Sequence, residues 1–298
     1  MGKLECNSLT KIYSDHRKAL DNISFSVETK GIFGLIGRNG AGKTTLIRIL
    51  STELEPTSGT ANINNLDILK QENRVREKIA IVPQEARAIR WMTPKQTVMS
   101  YLLWRGYSNS EAKRLADASL KKLQIEQYAN ILNGKLSGGT KRKVLIATVT
   151  ASEAEIIFLD EPTTGLDPIS RRELWDILRN LGKERFIFLT THYLEEAEQL
   201  ADRIGILKDG HLISMGTLTE LRSSSKYQYS IKLPPNTPIP ALTAGEATTS
   251  KSGSHILTDE QEAFRLAKQL SEQGFKFSIS PVTLDDIFFR IVGETARD

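Results

Sequence analysis

The sequence predicts an α/β protein in which helices cover a mixed sheet, with a helical subdomain inserted into the fold and a small α+β appendage after it. The segments IFGLIG (32–37), IIFLDE (156–161) and RFIFLTTH (185–192) are short, continuous and apolar, as in parallel strands that are buried on both faces. The segments KTTLIRIL and RRELWDIL between them have the apolar spacing of helices. Strands that alternate with helices along a chain favour an α/β fold.

Two further strands are predicted early in the chain. Ile23, Phe25 and Val27 in DNISFSVET alternate with polar residues, which is the period of a half-buried strand. The segment TANINNLDI is typical of a strand with a tight turn, because Asn64 and Asn65 can adopt positive φ.

A helical subdomain and a separate C-terminal domain are predicted next. From about residue 86 to residue 151 the pattern is helical, and Ser108 and Glu111 have the spacing of a capping box. The later segments SSSKYQYSIKLPPNTPIP and LTAGEATTSKSGS are rich in Ser, Thr, Pro and Gly, which indicates a domain boundary and a loop. We therefore predict one domain over residues 1–225 and an accessory domain over residues 226–298.

Within the accessory domain the sequence predicts two helices and a strand. Thr258 and Gln261 have the spacing of a helix cap, and Gly274 is placed to end the helix that follows them. FKFSIS alternates as a strand does, and TLDDIFFRIVG is predicted to close the chain as a short helix.

Composition limits the possible partners and location. The 40 basic and 36 acidic side chains leave a net charge of +4, which is too small to indicate nucleic acid as the main partner. The only cysteine, Cys6, excludes an internal disulfide and suits a reducing compartment. No apolar run approaches the roughly eighteen residues that span a bilayer, and the N-terminus lacks the layout of a signal peptide. We expect a cytosolic protein that reaches a membrane only through a partner.

A glycine-rich loop between a predicted strand and a predicted helix indicates a phosphate-binding site. GRNGAGKT (37–44) matches G-x-x-x-x-G-K-[ST], and its glycines let backbone N–H groups turn inward around phosphate oxygens. The helix that follows directs its positive end at the same anion. Lys43 is expected to reach the β- and γ-phosphates, and Thr44 to offer its hydroxyl to Mg²⁺. The alternative, a chance glycine turn before a helix, is disfavoured by the flanking strand.

The strand IIFLDE ends in two carboxylates that suit the same site. Asp160, at the tip of a buried strand, can orient the shell of a Mg²⁺ ion, and Glu161 can act as general base on a water aimed at the γ-phosphate. Alone, such a pair could cap the next helix, but together with the glycine-rich loop it favours catalysis. Small-molecule kinases, helicases and GTPases remain open at this point.

A second glycine-rich turn, LSGGT (136–140), narrows the choice. Ser137 begins a predicted helix, so its hydroxyl and the amides of Gly138 and Gly139 form a second anion site. An isolated SGG sequence is usually a helix cap and nothing more. Because Lys43 already takes the phosphates in this chain, we infer that the turn contacts the γ-phosphate of a nucleotide held by another copy.

In their order and spacing, these motifs resemble those of the ATP-binding cassette (ABC) ATPases over about residues 4–220. GRNGAGKTT resembles the Walker A segment, IIFLDEP the Walker B segment with its catalytic glutamate, and LSGGT the signature loop. The resemblance implies that Gln84 senses Mg²⁺ and the attacking water beside a transmembrane partner, and that His192 contacts the γ-phosphate. It also implies that Asp167 lies at a dimer seam and that Tyr13 stacks on adenine.

The motifs and the resemblance together give the set of expected site residues, with ATP and Mg²⁺ as cofactors. They assign catalysis to Glu161, His192 and Gln84, metal binding to Thr44, Gln84 and Asp160, ATP binding to Tyr13, Gly37, Arg38, Asn39, Gly40, Ala41, Gly42, Lys43, Thr44 and Thr45, and ATP binding in trans to Ser137, Gly138 and Gly139.

Two segments depart from the family pattern. Thr140 stands where the signature loop most often has glutamine, which leaves the contribution of that side chain to nucleotide contact open. PVTLDDIF resembles the short ending of the ATPases that serve ABC-2 type exporters, although Pro281 lies one residue early and Val282 takes the expected proline position. Packing of a helix would also explain this segment.

The resemblance implies an ATP-hydrolysing transporter subunit on the cytoplasmic face of the membrane. Two chains, identical or paralogous, would bind ATP head to tail and drive a separate permease of the ABC-2 type, with no nucleic acid partner. Trp91 and Tyr101 are candidates for the groove that receives the permease, with a core position as the alternative. The rival interpretations are a soluble ABC ATPase acting on ribosomes or nucleic acid, and a regulatory binding module without turnover.

Overall fold

A computed structural model of the chain describes residues 2–224, 226–250 and 253–292. The chain consists of two compact units, Met1–Ile213 and Ser214–Asp298. The sequence-based boundary between residues 225 and 226 stays a prediction. Within the described ranges, no helix is both long enough and apolar enough to cross a bilayer.

The first unit contains a sheet with the strand order β10-β9-β3-β8-β7-β6, in which β10 continues past the last residue of the unit, Ile213. The three apolar runs of the sequence form β3, β7 and β8, which pair in parallel, and every residue of these strands is buried. The prediction of parallel strands covered on both faces is confirmed. The bounds are β3 (Ile32–Ile36), β6 (Ile79–Val82), β7 (Ile156–Asp160), β8 (Phe186–Thr191), β9 (Arg203–Lys208) and β10 (His211–Gly216).

A second sheet of this unit is antiparallel, with the strand order β2-β1-β4-β5. Ile23, Phe25 and Val27 are buried, as their alternation predicts. Asn64 and Asn65 form the turn between β4 and β5 with φ values of 50° and 65°, which confirms the predicted tight turn. The bounds are β1 (Lys3–Ile12), β2 (Lys18–Glu28), β4 (Ser58–Ile63) and β5 (Leu66–Asp67).

Three helices follow one another in the region of helical pattern and share one apolar core with the parallel sheet. Ser108 Oγ accepts a hydrogen bond from the Glu111 amide, and the Glu111 carboxylate accepts one from the Ser108 amide, so the predicted capping box is confirmed. The helices of the first unit are α1 (Lys43–Leu50), α2 (Glu72–Lys78), α3 (Pro94–Trp104), α4 (Asn109–Lys122), α5 (Gly138–Ala151), α6 (Pro168–Gly182) and α7 (Leu194–Leu200), with short 3₁₀ helices at Glu126–Tyr128 and Asn133–Lys135.

The second unit packs helices on a sheet with the strand order β12-β13-β11-β14. Its core contains Ile231, Leu233, Ile256, Ala263, Leu266 and Leu270. The bounds are α8 (Leu218–Ser223), β11 (Tyr229–Leu233), β12 (Glu246–Ser250), β13 (Gly253–Thr258), α9 (Glu260–Glu272), β14 (Ser278–Pro281) and α10 (Leu284–Val292). Gly293, which the sequence places at the end of the last helix, lies outside the described residues.

Two local predictions in this unit need correction. The cap of α9 is Asp259, whose side chain accepts a hydrogen bond from the Glu262 amide. Thr258, the predicted cap, is the last residue of β13, and its hydroxyl donates to the Ala244 carbonyl oxygen at 2.7 Å. The predicted strand FKFSIS is shorter than expected, since β14 begins only where Ser278 pairs with β11.

Candidate functional site

The glycine-rich loop runs from the end of β3 to the start of α1. Gly40 and Gly42 have φ values of 84° and 109°, in the region that favours glycine. A Cβ atom on Gly42 would lie 2.4 Å from the carbonyl oxygen of Ala19, and one on Gly37 would lie 2.6 Å from that of Leu207. The shape of the loop therefore requires glycine at the positions where the sequence motif has it.

Lys43 is the first residue of α1, and only 5% of it is exposed. Its ammonium group donates to the carbonyl oxygens of Gly37 at 2.9 Å and Arg38 at 3.2 Å, and lies 3.4 Å from Glu161 Oε1. Burial lowers the pKa of Lys43, while the charge of Glu161 opposes that shift. The ammonium thus bridges the loop and the end of β7, where a phosphate group would meet it.

The Glu161 carboxylate is the centre of a polar cluster. Oε2 lies 3.0 Å from His192 Nδ1 and accepts hydrogen bonds from Gln84 Nε2 at 3.3 Å and Thr164 Oγ1 at 3.1 Å. Burial raises the pKa of Glu161, but Lys43 and then His192 outweigh burial and hold the pKa below its ordinary value. An ionised carboxylate is the form that a general base needs.

Oxygen groups suited to Mg²⁺ lie beside the glycine-rich loop and at the end of β7. Thr44 and Gln84 line one cleft, and Asp160 lies buried at the end of β7, where it accepts a hydrogen bond from the Thr190 hydroxyl. A hydroxyl, an amide oxygen and a carboxylate are hard ligands of the kind that Mg²⁺ prefers alongside phosphate oxygens. Among the described residues, no group of three or more His, Cys, Asp or Glu forms a metal cluster. These donors fit a metal held jointly with phosphate.

A cleft of about 560 Å³ brings together residues from motifs that lie far apart in the sequence. Arg17, Ala19 and Thr164 belong to it although no motif marked them. The position of Thr164, three residues after Glu161, is a signal that could have identified it, whereas Arg17 carries none. The lining residues are Tyr13, Arg17, Ala19, Asn39, Gly40, Gly42, Lys43, Thr44, Thr45, Gln84, Glu161, Thr164 and His192.

Tyr13 lies at the edge of this cleft. Its hydroxyl is 3.2 Å from Thr45 Oγ1, and the guanidinium group of Arg17 lies over its ring at 4.9 Å from the centroid. Lys11 lies 5.7 Å from the same centroid. Tyr13 and Arg17 both line the cleft, so an aromatic ring and a cation, which both suit a nucleotide, lie together there.

The residues expected to act in trans are not part of this cleft. Ser137 is the cap of α5, and its Oγ accepts a hydrogen bond from the Thr140 amide at 3.1 Å and lies 2.8 Å from the Thr140 hydroxyl. Ser137 and Gly138 are exposed, and a Cβ atom on Gly138 would meet no atom within 4 Å. On Gly139 it would lie 2.5 Å from Ser170 Oγ. The helix start is thus open on the side of Gly138 and closely packed on that of Gly139.

Asp167 marks a second exposed helix start. Its side chain caps α6 by accepting hydrogen bonds from the amides of Ile169 at 3.1 Å and Ser170 at 3.0 Å. Like Ser137, it lies outside the set of residues that line the cleft. The structure accounts for Asp167 locally as a helix cap, and its expected place at a dimer seam stays a prediction.

Comparison with known proteins decides the family. The model of the ABC transporter family matches residues 20–164. The daunorubicin/doxorubicin resistance ATP-binding protein DrrA of Streptomyces peucetius is 32% identical over 99% of this chain and 94% of its own length. This chain belongs to the ABC transporter family. As a member, it is an ATP-binding and ATP-hydrolysing subunit of the ABC type, as the sequence motifs predict.

Solved structures of ABC proteins confirm the fold class. One described as the ATP-binding subunit of an ABC transporter has a TM-score of 0.65 and 28% identity, and the match covers 74% of this chain and 92% of that one. A dimeric ATP-binding cassette in a post-hydrolysis state, bound to ADP and Pi, has a TM-score of 0.65 and 27% identity over 72% of this chain and 98% of that one. The ABC core with its mixed sheet and helices is therefore confirmed.

Proposed function

We propose that two copies of this ABC ATPase bind two ATP molecules head to tail and drive a separate permease by closing and opening around them. One observation carries the proposal. The cleft contains the glycine-rich loop, Glu161 and His192, whereas Ser137 and Gly138 lie at an exposed helix start that is not part of it. This separation, together with the anion affinity of a helix N-terminus, supports two half-sites in each chain that serve different nucleotides.

Within the composite site, each residue has a distinct proposed role. Lys43 binds the phosphates and gives up its contact with Glu161 when they arrive. Glu161 then takes the proton of the attacking water, while Gln84 and His192 keep its carboxylate oriented. Thr44, Gln84 and Asp160 hold Mg²⁺, which when bound supplies positive charge beside the phosphates. Tyr13 lies against the adenine at the rim.

The relatives support a transporter role in the export branch. DrrA is named for resistance to daunorubicin and doxorubicin, and a second resistance protein, DrrA3 of Streptomyces coeruleorubidus, is 32% identical over 96% of this chain and 95% of its own length. Because of this similarity, we propose that the chain serves an exporter with a permease of the ABC-2 type. We also propose that it lies on the cytoplasmic face of the membrane. These matches favour a transporter subunit over a soluble ATPase that acts on ribosomes or nucleic acid.

The permease is proposed to dock on exposed apolar residues of the helical region. Trp91 is 78% exposed and Trp104 is 82% exposed. Ile89, two residues before Trp91, is also exposed, and so is Leu132, which lines one surface cavity with Trp91. Tyr101, the other candidate from the sequence, is only partly exposed and packs its ring 6.4 Å from that of Trp104. The pair Trp91 and Trp104 therefore replaces Trp91 and Tyr101 as the proposed contact.

The test is a Glu161→Gln variant with ATP and Mg²⁺ on a sizing column. We expect a stable dimer and a fall in turnover of at least about 100-fold, because the amide cannot accept the proton of the water. Glu195→Gln, at an exposed position of α7, is the matched control and should behave as the wild type. If the Glu161→Gln variant hydrolyses ATP at the wild-type rate, Glu161 is not the general base.

A further inference from the structure

The backbone of Glu161 has an unusual conformation. Its φ is +47°, in the left-handed region that residues other than glycine rarely adopt. Such a conformation costs free energy and persists only where the surroundings hold it. On one side, the Glu161 amide donates to the carbonyl oxygen and the hydroxyl oxygen of Thr190, both at 3.1 Å.

On the other side, the same segment is held by a buried arginine of α5. Arg142 is 8% exposed, and its guanidinium group donates to three successive carbonyl oxygens. Nε donates to Pro162 at 2.7 Å, and Nη2 donates to Glu161 at 3.0 Å and to Asp160 at 3.2 Å. These oxygens belong to the strained residue and to its two neighbours in the chain. The planar fork of an arginine can hold them together, which a lysine cannot do.

The charge of Arg142 argues for a specific role. Burial, and then the nearby Arg87, lower the pKa of Arg142 to about 10, so the side chain stays protonated at neutral pH. A buried cation is expensive to desolvate, and an apolar side chain of similar volume would pack at lower cost. A charged donor, however, makes stronger hydrogen bonds to carbonyl oxygens than a neutral one.

We infer that Arg142 is a positioning residue for Glu161: it fixes the peptide segment 160–162 in the conformation that directs the carboxylate into the cleft. Arg142 is not among the residues that line the cleft, so it acts on the site through the segment 160–162 and not by contact with the nucleotide. The inference rests on the proposed role of Glu161 as general base.

The first measurement is the steady-state ATPase activity of Arg142→Met. This substitution keeps an apolar side chain and removes the guanidinium group. The rate is expressed per bound ATP, so that misfolded protein, which does not bind ATP, does not lower the apparent kcat. We expect kcat to fall about 100-fold with KM for ATP unchanged, because displacement of a catalytic group by about 1 Å has an effect of that size. Arg142→Lys should retain part of the activity. Lys143→Met is the control, since it removes the neighbouring cation, whose ammonium group pairs with Glu173 at 2.8 Å.

The second measurement combines Arg142→Met with Glu161→Gln and follows single-turnover hydrolysis. If Arg142 acts only through Glu161, the double variant is no slower than Glu161→Gln alone. A wild-type kcat in Arg142→Met, or an equal further loss in the double variant, would overturn the inference. Should Arg142→Met not fold, the same cycle with Arg142→Lys decides. A wild-type rate in Glu161→Gln alone would instead refute the proposed function.

Discussion

The charge of Glu161 is set by the residues around it, and this makes its pH dependence testable. Burial favours the protonated acid, and Lys43 and His192 oppose burial, so the pKa lies below its ordinary value. Because the ionised form is the base, activity should persist at low pH until that lowered pKa is reached.

Removal of one opposing partner should shift this limit. In His192→Gln we expect the acid limb of the pH profile of kcat to move to higher pH, in addition to a lower maximum, because the pKa of Glu161 rises when the imidazole is absent. Thr164→Val, which removes one hydrogen bond to the same carboxylate, should cause a smaller shift in the same direction. An acid limb that stays in place in both variants would contradict the assignment of Glu161 as the base.

Gly42 tests the glycine-rich loop at the level of one atom. Gly42→Ala should lower the free energy of unfolding by about 1–3 kcal/mol, because it combines a strained φ with a collision of its Cβ atom with the Ala19 carbonyl oxygen. ATP binding should be lost as well. Urea unfolding and nucleotide titration measure the two effects. Gly138→Ala, where no atom lies within 4 Å of the new carbon and the backbone φ is not positive, is the control for stability and should not destabilise the protein.

At the scale of the elements, the sequence predicts strands and loops well and exact helix starts less well. The runs around Ile32, Ile156 and Phe186 could be read directly, since a strand covered on both faces needs only apolar residues. Thr258 and Asp259 are both good caps, and only the pairing of β13 decides between them. Local sequence does not contain that information.

The sequence likewise identifies some residues of the candidate site and misses others. Lys43 and Glu161 belong to motifs that are contiguous in the chain, so the amino-acid sequence alone is enough to identify them. Arg142 could not be identified in this way, because in the sequence KRK it resembles a solvated basic face. The way α5 packs against the end of β7 buries it, and this is a property of the tertiary structure.

The start of α5 separates a structural role from a functional one. Ser137→Asp keeps a good helix cap, so the free energy of unfolding should change by no more than a few tenths of a kcal/mol. The added negative charge would repel the γ-phosphate of the partner's ATP, so ATPase activity should be lost. Ser137→Ala should instead destabilise the protein by about 1 kcal/mol. A fully active Ser137→Asp variant would show that the turn is only a helix cap.

Glu196 of α7 gives a second test at this scale. It is fully buried, it accepts a hydrogen bond from Trp175 Nε1 at 3.1 Å, and burial raises its pKa. The folded protein therefore binds this proton more tightly than the unfolded chain, and stability falls as pH rises above the pKa of the unfolded chain. Glu196→Gln removes this dependence, so its stability relative to the wild type should be greater at pH 8 than at pH 5 in urea unfolding. An equal difference at both pH values would contradict a raised pKa.

At the scale of the whole molecule, catalysis is proposed to belong to a pair of chains. The cleft and the exposed start of α5 are separate features of one chain, and on this proposal neither is sufficient for hydrolysis. One half-site can therefore be inactivated by mutation while the other half-site of the same chain stays intact. A Lys43→Met chain lacks a working cleft but has a working Ser137, and a Ser137→Asp chain has the reverse.

Mixing these two variants tests the pairing most directly. Each variant alone should be inactive, because every site of its homodimer contains one defective half. In a mixed dimer, one of the two sites combines the intact cleft of one chain with the intact Ser137 of the other. We expect the mixture to hydrolyse ATP faster than the sum of the two separate rates. A mixture of folded chains that is no faster than this sum would contradict the composite site.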